Sequence, residues 1–368
     1  MSKTAVKEHH EPWIHMVKRP AIDKKKAWLI RGIALLGALL TGALLILLLG
    51  HNPLEVYASM VNGAFGKKIS IQETVKVTIP LLVTGIGIAL AFKMRFWNIG
   101  AEGQILVGAT AATAVVVYGE SIPQVPRLIL MALAAILAGG LYGMIPAFFK
   151  AKWNTNETLF TLMLNYIAIQ FIMFLAYQPG WQAEGTSFPK IRTFDAASRL
   201  PKVFGVHIGW IIALVIVAAA YIYLTRTKQG YEISVVGEST NTARYAGMNV
   251  KKIIIRTMFL SAALAGIVGF LQVAGADGTL TESTAGGVGF TAITVAWLAK
   301  MNPFAMILVS LFIAVLQRGS SSIQTSHGIP ASAASLLTGL ILFFMLGCEF
   351  FINYQLIFRK RGKENANG

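Results

Sequence analysis

Residues 79–117 read IPLLVTGIGIALAFKMRFWNIGAEGQILVGATAATAVVV, two apolar runs separated by a basic turn and the polar stretch WNIGAEGQ (97–104). Each run approaches the ~20 residues that a helix needs to cross about 30 Å of hydrocarbon. Lipid accepts only helices or closed barrels, and neither run alternates with period two, so both are predicted to be helices. The carboxylate of Glu102 is unexpected between such runs, and its role is the first question that the sequence raises.

Similar apolar runs recur along the whole chain. Of its 368 residues, 55% are hydrophobic and only 13% are charged, which argues against two soluble domains. The predicted fold is an all-α polytopic membrane protein with about ten transmembrane helices, some of them short or broken. The predicted spans are 29–50, 74–92, 97–118, 127–149, 157–177, 206–225, 253–274, 288–300, 303–318 and 329–350.

Basic residues indicate how these spans are oriented. Clusters at 93–95, 150–152, 226–228 and 359–361 fall on one side, which the positive-inside rule makes cytoplasmic together with both termini. The loop 178–205 also carries basic residues on the predicted outer side, against this bias. We expect a basic cytoplasmic tail (1–26), a transmembrane domain (27–358) with a cytoplasmic loop at 226–252, and a second tail (359–368). The net charge of +16 is therefore a topology signal, and no nucleic-acid partner is expected.

Two of the predicted spans, 288–300 and 303–318, are too short to cross the bilayer as straight helices. The glycine-rich stretch GADGTLTESTAGGVG (275–289) precedes them, and Asn302-Pro303 separates them. Irregular backbone survives at membrane depth only where it is buried in protein or lines an aqueous cavity. This part of the chain is therefore predicted to lie near a translocation path.

Polar residues inside the spans are the candidate functional groups. Asn98 and Glu102 stand four residues apart and would share one face of a helix starting near Trp97, whereas Gln104 would point elsewhere. Glu102 either pairs with a nearby Lys or Arg, caps a helix start, or forms part of a pathway or its inner gate.

A second polar line lies in TNETLFTLMLNY (155–166), where Glu157, Thr161 and Asn165 recur at a spacing of four. Such a line must face other helices or water. Hydrogen bonds between helices would explain it, and so would a polar pathway.

The polar stretch GESTNTARYAGMNVKK (237–252) contains a helix-compatible NTARYA with Gly247 as its predicted stop. It is either a connector between two spans or a docking handle for a cytoplasmic partner. 

WNIGAEGQ, TNETLFTLMLNYIA (155–168) and GESTNTARYAGMNVKK together resemble permease subunits of bacterial ABC importers in the ribose and branched-chain amino-acid permease superfamily. The resemblance covers nearly the whole chain after residue 27 and is greatest for the guanosine-type nucleoside branch. Trp97 is a departure, because members of that branch often have Phe there. The chain is similar to the longer of the two unlike permeases of such transporters.

The resemblance implies a multi-pass protein of the bacterial cell membrane, in contact with membrane lipid, that imports nucleosides. Its expected partners are cytoplasmic ATP-binding cassette ATPase subunits, a second, unlike permease (or a second copy) and an extracellular substrate-binding lipoprotein. The chain lacks the Walker A pattern, so ATP hydrolysis is expected in a partner and the chain itself is not expected to be an enzyme. By analogy, residues 226–252 would form the coupling loop.

The polar residues inside the spans and the resemblance together give two groups of candidate residues. Those of the substrate pathway or gate are Asn98, Glu102, Gln104, Thr161 and Asn165. Those that contact the ATPase are Glu238, Asn241, Arg244 and Tyr245.

Three alternatives stay open at this stage. A permease for a simple sugar such as ribose would use the same polar groups. An ion-coupled secondary transporter would also use broken helices, although few intramembrane acids besides Glu102 are available. A membrane enzyme would need a nucleophile, base or metal site, and the six histidines show no such spacing, so neither a metal nor a cofactor is expected.

Overall fold

The computed structural model describes residues 14–18, 23–185 and 188–358. The predicted tail 359–368 lies outside these residues, as does most of the tail 1–26. Within the described residues the chain forms thirteen α-helices and four short strands. In chain order they are β1 (Ile14–Lys18), α1 (Lys24–Leu48), α2 (Pro53–Phe65), α3 (Lys68–Lys93), α4 (Ala101–Tyr118), α5 (Gln124–Trp153), α6 (Glu157–Leu175), β2 (Lys202–Val203), β3 (Val206–His207), α7 (Gly209–Arg226), α8 (Lys228–Glu238), α9 (Thr240–Tyr245), α10 (Val250–Leu271), α11 (Val288–Leu298), α12 (Pro303–His327), α13 (Ala331–Asn353) and β4 (Tyr354–Phe358).

The helix lengths confirm an all-α polytopic membrane protein. Nine helices of the described residues are long and apolar enough to cross a membrane, and α11 is a tenth apolar segment of only 11 residues. The expectation that 303–318 is too short was wrong, because α12 continues to His327 and has 25 residues. Its polar second half packs closely on α2. If Gly319 carried a side chain, its Cβ would lie 2.9 Å from the Cβ of Met60.

The chain divides into two compact units, of which the first contains β1, α1, most of α13 and β4. Arg31 of α1 pairs there with Glu349 of α13 at 2.5 Å. Strands β1 and β4 pair antiparallel with Ile14 opposite Phe358, so the two ends of the described chain lie side by side. The side of the membrane that they face stays a prediction.

The second unit contains α2 to α12, with α10 packed against α3, α4 and α5. Glycine allows these helices to approach closely. A Cβ on Gly266 of α10 would lie 2.2 Å from the carbonyl oxygen of Ala135 in α5, and one on Gly108 of α4 would lie 2.5 Å from the Cα of Gly266. Gly108 and Gly266 therefore lie at close helix contacts, the usual position of small residues between membrane helices.

The loop 178–205 is held by Arg127 at the start of α5, which is 3% exposed. Its guanidinium donates to Asp195 at 2.8 Å, to Ser198 at 2.9 Å and to the carbonyls of Ile122 and Glu120. Arg192 is one of the basic residues of this loop that oppose the positive-inside bias, and it pairs with Glu120 at 2.6 Å. Its charge therefore has a local partner.

The β2–β3 hairpin ends on a buried histidine. His207 Nδ1 accepts the N–H of Gly209 at 3.3 Å, while His207 Nε2 is buried without a hydrogen-bond partner. Burial, and secondarily the charge of Lys76, lowers the pKa of His207 to about 4. His207 is therefore neutral near pH 7.

Candidate functional site

The segment between α3 and α4, the return segment, has irregular backbone that folds back to α10. Helix α3 ends at Lys93, Arg95 adopts a positive φ of 57°, and regular helix resumes only at Ala101. The return brings Asn98 within 3.4 Å of Ser261 on α10. Ser261 lies about 16 Å along α10 from Val250, so this segment contacts α10 inside the candidate membrane span Val250–Asp277.

Asn98 and Gln104 form a reciprocal amide pair. Asn98 Nδ2 donates to Gln104 Oε1 and Gln104 Nε2 donates to Asn98 Oδ1, both at 3.1 Å. The expectation that Asn98 shares a helical face with Glu102 while Gln104 points elsewhere was wrong, because Asn98 precedes α4 and lies in irregular backbone. The irregular backbone lets Asn98 fold back onto Gln104, which a continuous helix would not allow.

The polar line on α6 holds the same segment from the other side. Thr161 Oγ1 accepts the N–H of Ile99 at 3.2 Å. Asn165 donates to the Ile99 carbonyl at 2.9 Å and accepts the N–H of Gly103 at 2.8 Å. Glu157, at the start of α6, pairs instead with Lys150 at 2.9 Å. All three side chains of the line are buried and face other parts of the protein.

Glu102 caps the half-length helix α11. Its two carboxylate oxygens accept the N–H groups of Gly287 and Gly289, each at 2.7 Å. A Cβ on Gly289 would lie 2.3 Å from the Glu102 nitrogen, so only glycine lets the start of α11 approach the start of α4 this closely. Both helix N-termini carry partial positive charge, which stabilises a carboxylate between them. These contacts explain a buried glutamate without a basic partner.

Helix α11 begins beside Glu102 and ends beside an aromatic cluster. Its 11 residues span about 16 Å, about half of the hydrocarbon core. Near its end Trp297 stacks on Trp97 with ring centroids 5.9 Å apart, and Phe92 lies 5.0 Å from Trp97. The indoles of Trp97 and Trp297 are 45% and 44% exposed. The sequence predicted a short helix here, but it gave no sign that Trp297, Ser261, Gly287 and Gly289 would surround WNIGAEGQ.

The polar connection between α7 and α10 is a pair of short helices. In α9, Ser239 Oγ accepts the N–H of Thr242 at 3.2 Å, and the helix ends before Gly247, with φ of 74°. The ATPase-contact candidates Glu238, Asn241, Arg244 and Tyr245 are all exposed, with Tyr245 at 93%. Helix α8 was not foreseen.

Two contacts attach α8 to the spanning helices. A Cβ on Gly237 would lie 1.9 Å from the Lys93 carbonyl oxygen, and Glu232 pairs with Arg256 of α10 at 3.0 Å. The connection is therefore packed against the ends of α3 and α10. Among the described residues, no group of three His, Cys, Asp or Glu side chains is placed to hold a metal ion.

A bundle of spanning helices around a return segment and a half-length helix, with buried polar contacts where they meet, is the architecture of a membrane transport protein. The chain belongs to the family described as "Branched-chain amino acid transport system / permease component", whose model matches residues 70–346.

Individual relatives extend over nearly the whole chain. A glucose ABC transporter permease protein of Haloferax volcanii is 33% identical and covers 92% of this chain and 93% of its own length. A guanosine ABC transporter permease protein of Bacillus subtilis is 30% identical, with 85% and 91% covered. A nucleoside ABC transporter permease protein of Lactococcus lactis is 31% identical, with 91% and 94% covered.

The chain is thus the permease subunit of an ABC transporter and a multi-pass plasma-membrane protein. It is not an enzyme, since ATP hydrolysis takes place in a separate subunit. The family implies ATPase and substrate-binding partners. This assignment replaces the alternatives of an ion-coupled carrier and a membrane enzyme.

Proposed function

We propose that this chain forms the translocation path of a nucleoside importer. Two of the three relatives described above are named as guanosine or nucleoside permeases. The observation that carries the proposal is the stacked, half-exposed pair Trp97 and Trp297 next to the buried amide pair. A nucleobase is a flat aromatic ring, and stacking on an aromatic side chain contributes about 1–3 kcal/mol per base in nucleic-acid complexes.

In this proposal the five pathway or gate candidates shape the gate, and the two indoles meet the cargo. Asn98, Gln104, Thr161 and Asn165 already bond to one another or to the backbone of residues 99–103, so few of their polar atoms remain for a ligand. Glu102 fixes the start of α11 against α4. The gate would then open by separating α6 or α11 from the return segment.

The exposed surface of α9 would receive the ATPase. Contacts of α8 with the ends of α3 and α10 provide a route for motion from the ATPase to the helices that carry the return segment. We further propose a second, unlike permease and an extracellular lipoprotein as partners. The proposed permease domain is 27–358, with the coupling loop at 226–252 and the outer loop at 178–205.

Uptake of labelled guanosine tests the substrate class. Cells that produce the complete transporter should accumulate guanosine, and a hundredfold excess of unlabelled adenosine should compete, whereas glucose, ribose and leucine should not. Trp97→Leu should lower uptake about tenfold, and Trp97→Phe, which keeps a stacking ring, should retain most of it. Trp153→Leu is the matched control, because Trp153 is also exposed but lies at the end of α5.

Glucose import is the second candidate, favoured by the relative from Haloferax volcanii. Accumulation of labelled glucose that nucleosides fail to inhibit would select it. If glucose is the cargo and does not contact the two indoles, Trp97→Leu and Trp153→Leu should have the same effect on glucose uptake.

A further inference from the structure

A basic cavity lies between α5 and the first three turns of α10. It has a volume of about 490 Å³ and is lined by three cationic side chains, Lys251, Lys252 and Arg256. Asn249 also lines it, and the rest of its wall is apolar, formed by Met144, Ile255 and Phe259. The cavity therefore combines positive charge with hydrocarbon at the level where a spanning helix begins.

The charge in this cavity is only partly neutralised by the protein. Arg256 pairs with Glu232 at 3.0 Å, but its Nε is buried without a hydrogen-bond partner. Lys251 and Lys252 are exposed. With one carboxylate facing three cations, the cavity keeps a net positive charge that suits an anion.

A mostly apolar groove adjoins the cavity at Phe259. A second cavity of about 390 Å³ shares Phe259 with the first and is lined by Ile136 of α5, Ala219 of α7, and Ala263 and Ile267 of α10. From Arg256 to Ile267, α10 rises about 16 Å, which is half the ~30 Å hydrocarbon core. One acyl chain of a single leaflet has this reach.

We propose that the cavity and groove together bind one anionic phospholipid, with its phosphate on Lys251, Lys252 and Arg256 and one acyl chain along Phe259 and Ala263. Basic pockets between membrane helices are suited to anionic headgroups, and each Lys near the surface contributes about 1 kcal/mol to the attraction. A free phosphate would use the cavity but leave the groove empty. An ATPase surface would use the lysines but would not enter the groove.

The first test is lipid binding to the full-length protein, measured by native mass spectrometry with added phosphatidylglycerol or phosphatidylcholine. Phosphatidylglycerol should bind more tightly. Lys251→Gln with Lys252→Gln should weaken it about thirtyfold, the equivalent of about 1 kcal/mol for each lysine. The control is Lys67→Gln with Lys68→Gln, which removes an exposed lysine pair at the start of α3 and should change little.

The groove is tested by Ala219→Phe, which should weaken phosphatidylglycerol binding about tenfold by displacing one or two methylenes of the chain. Ala218→Phe, on the exposed neighbour that does not line the groove, is its control. Glycerol phosphate, the headgroup without chains, should bind far more weakly than the lipid.

Three results would overturn the proposal. Equal binding of phosphatidylglycerol and phosphatidylcholine would show that the site does not select an anionic lipid. Equal binding of glycerol phosphate and phosphatidylglycerol would assign the cavity to a soluble phosphate. Unchanged lipid binding in the double lysine variant, with loss of ATPase co-purification, would assign the lysines to the ATPase interface.

Discussion

Replacing Glu102 with Gln tests whether one carboxylate joins the starts of α4 and α11. The carboxylate accepts two backbone N–H groups at 2.7 Å each. Glutamine keeps one acceptor oxygen and points an amide N–H₂ at the other donor, so one buried N–H loses its partner. An unsatisfied buried donor costs about 1–3 kcal/mol, and loss of the negative charge at two helix N-termini adds about 1 kcal/mol. We expect Glu102→Gln to lower the free energy of unfolding by about 2–4 kcal/mol.

The assay is equilibrium unfolding of the purified protein in mixed micelles, followed by tryptophan fluorescence. Trp297 lies on α11 and stacks on Trp97, so release of that helix should also change their emission. Glu120→Gln is the control, because Glu120 forms an exposed ion pair with Arg192 that is worth at most about 1 kcal/mol. If Glu102→Gln were no more destabilising than Glu120→Gln, the role of Glu102 in holding α11 would be wrong.

Three further predictions concern stability and assembly. The free energy of unfolding should fall as the pH falls from about 6.5 to about 4. The pKa of His207 is about 4 in the folded chain, below its value in the unfolded chain, so within this range the unfolded chain binds a proton at His207 that the folded chain does not. The expected decrease in the free energy of unfolding is about 3 kcal/mol. Unfolding measured as a function of pH should show this decrease in the parent protein but not in His207→Gln, and the same pH dependence in both proteins would contradict the prediction. Gly266→Ala should sharply reduce folded protein, measured by size-exclusion recovery, because its Cβ would lie 2.2 Å from a backbone oxygen, whereas Gly339→Ala, with open space around it, should not. Arg244→Glu should weaken co-purification of the ATPase while leaving the permease folded, and recovery equal to that of the parent would count against α9 as the docking helix.

The sequence was sufficient where the signal is local. Apolar runs of spanning length predicted the helices, and the four-residue spacing of Glu157, Thr161 and Asn165 predicted a buried polar line, which the structure has. The NTARYA segment was predicted as a short helix for the same reason, since its cap and its stop lie within a few residues of one another.

The sequence was insufficient where a contact joins distant residues. Glu102 lies 185 residues before Gly287, so neither spacing nor hydropathy could identify its partner. The sequence therefore could not decide whether Glu102 caps a helix, forms an ion pair or belongs to a gate. The amide pair of Asn98 and Gln104 depends on a break in the helix at residues 94–100, inside an otherwise helical pattern. The full length of α12 was missed because its polar second half lowers the hydropathy, although Gly319 packs closely on α2.

The nucleoside assignment can be tested by transport in the purified and reassembled importer. The permease, its ATPase, any second permease and the substrate-binding protein would be placed in proteoliposomes with labelled guanosine or labelled glucose on the side of the binding protein. We expect guanosine transport that requires ATP on the ATPase side, that ion gradients do not drive, and that glucose does not inhibit. ATP-driven glucose transport without guanosine transport would contradict the nucleoside assignment while leaving the permease fold intact.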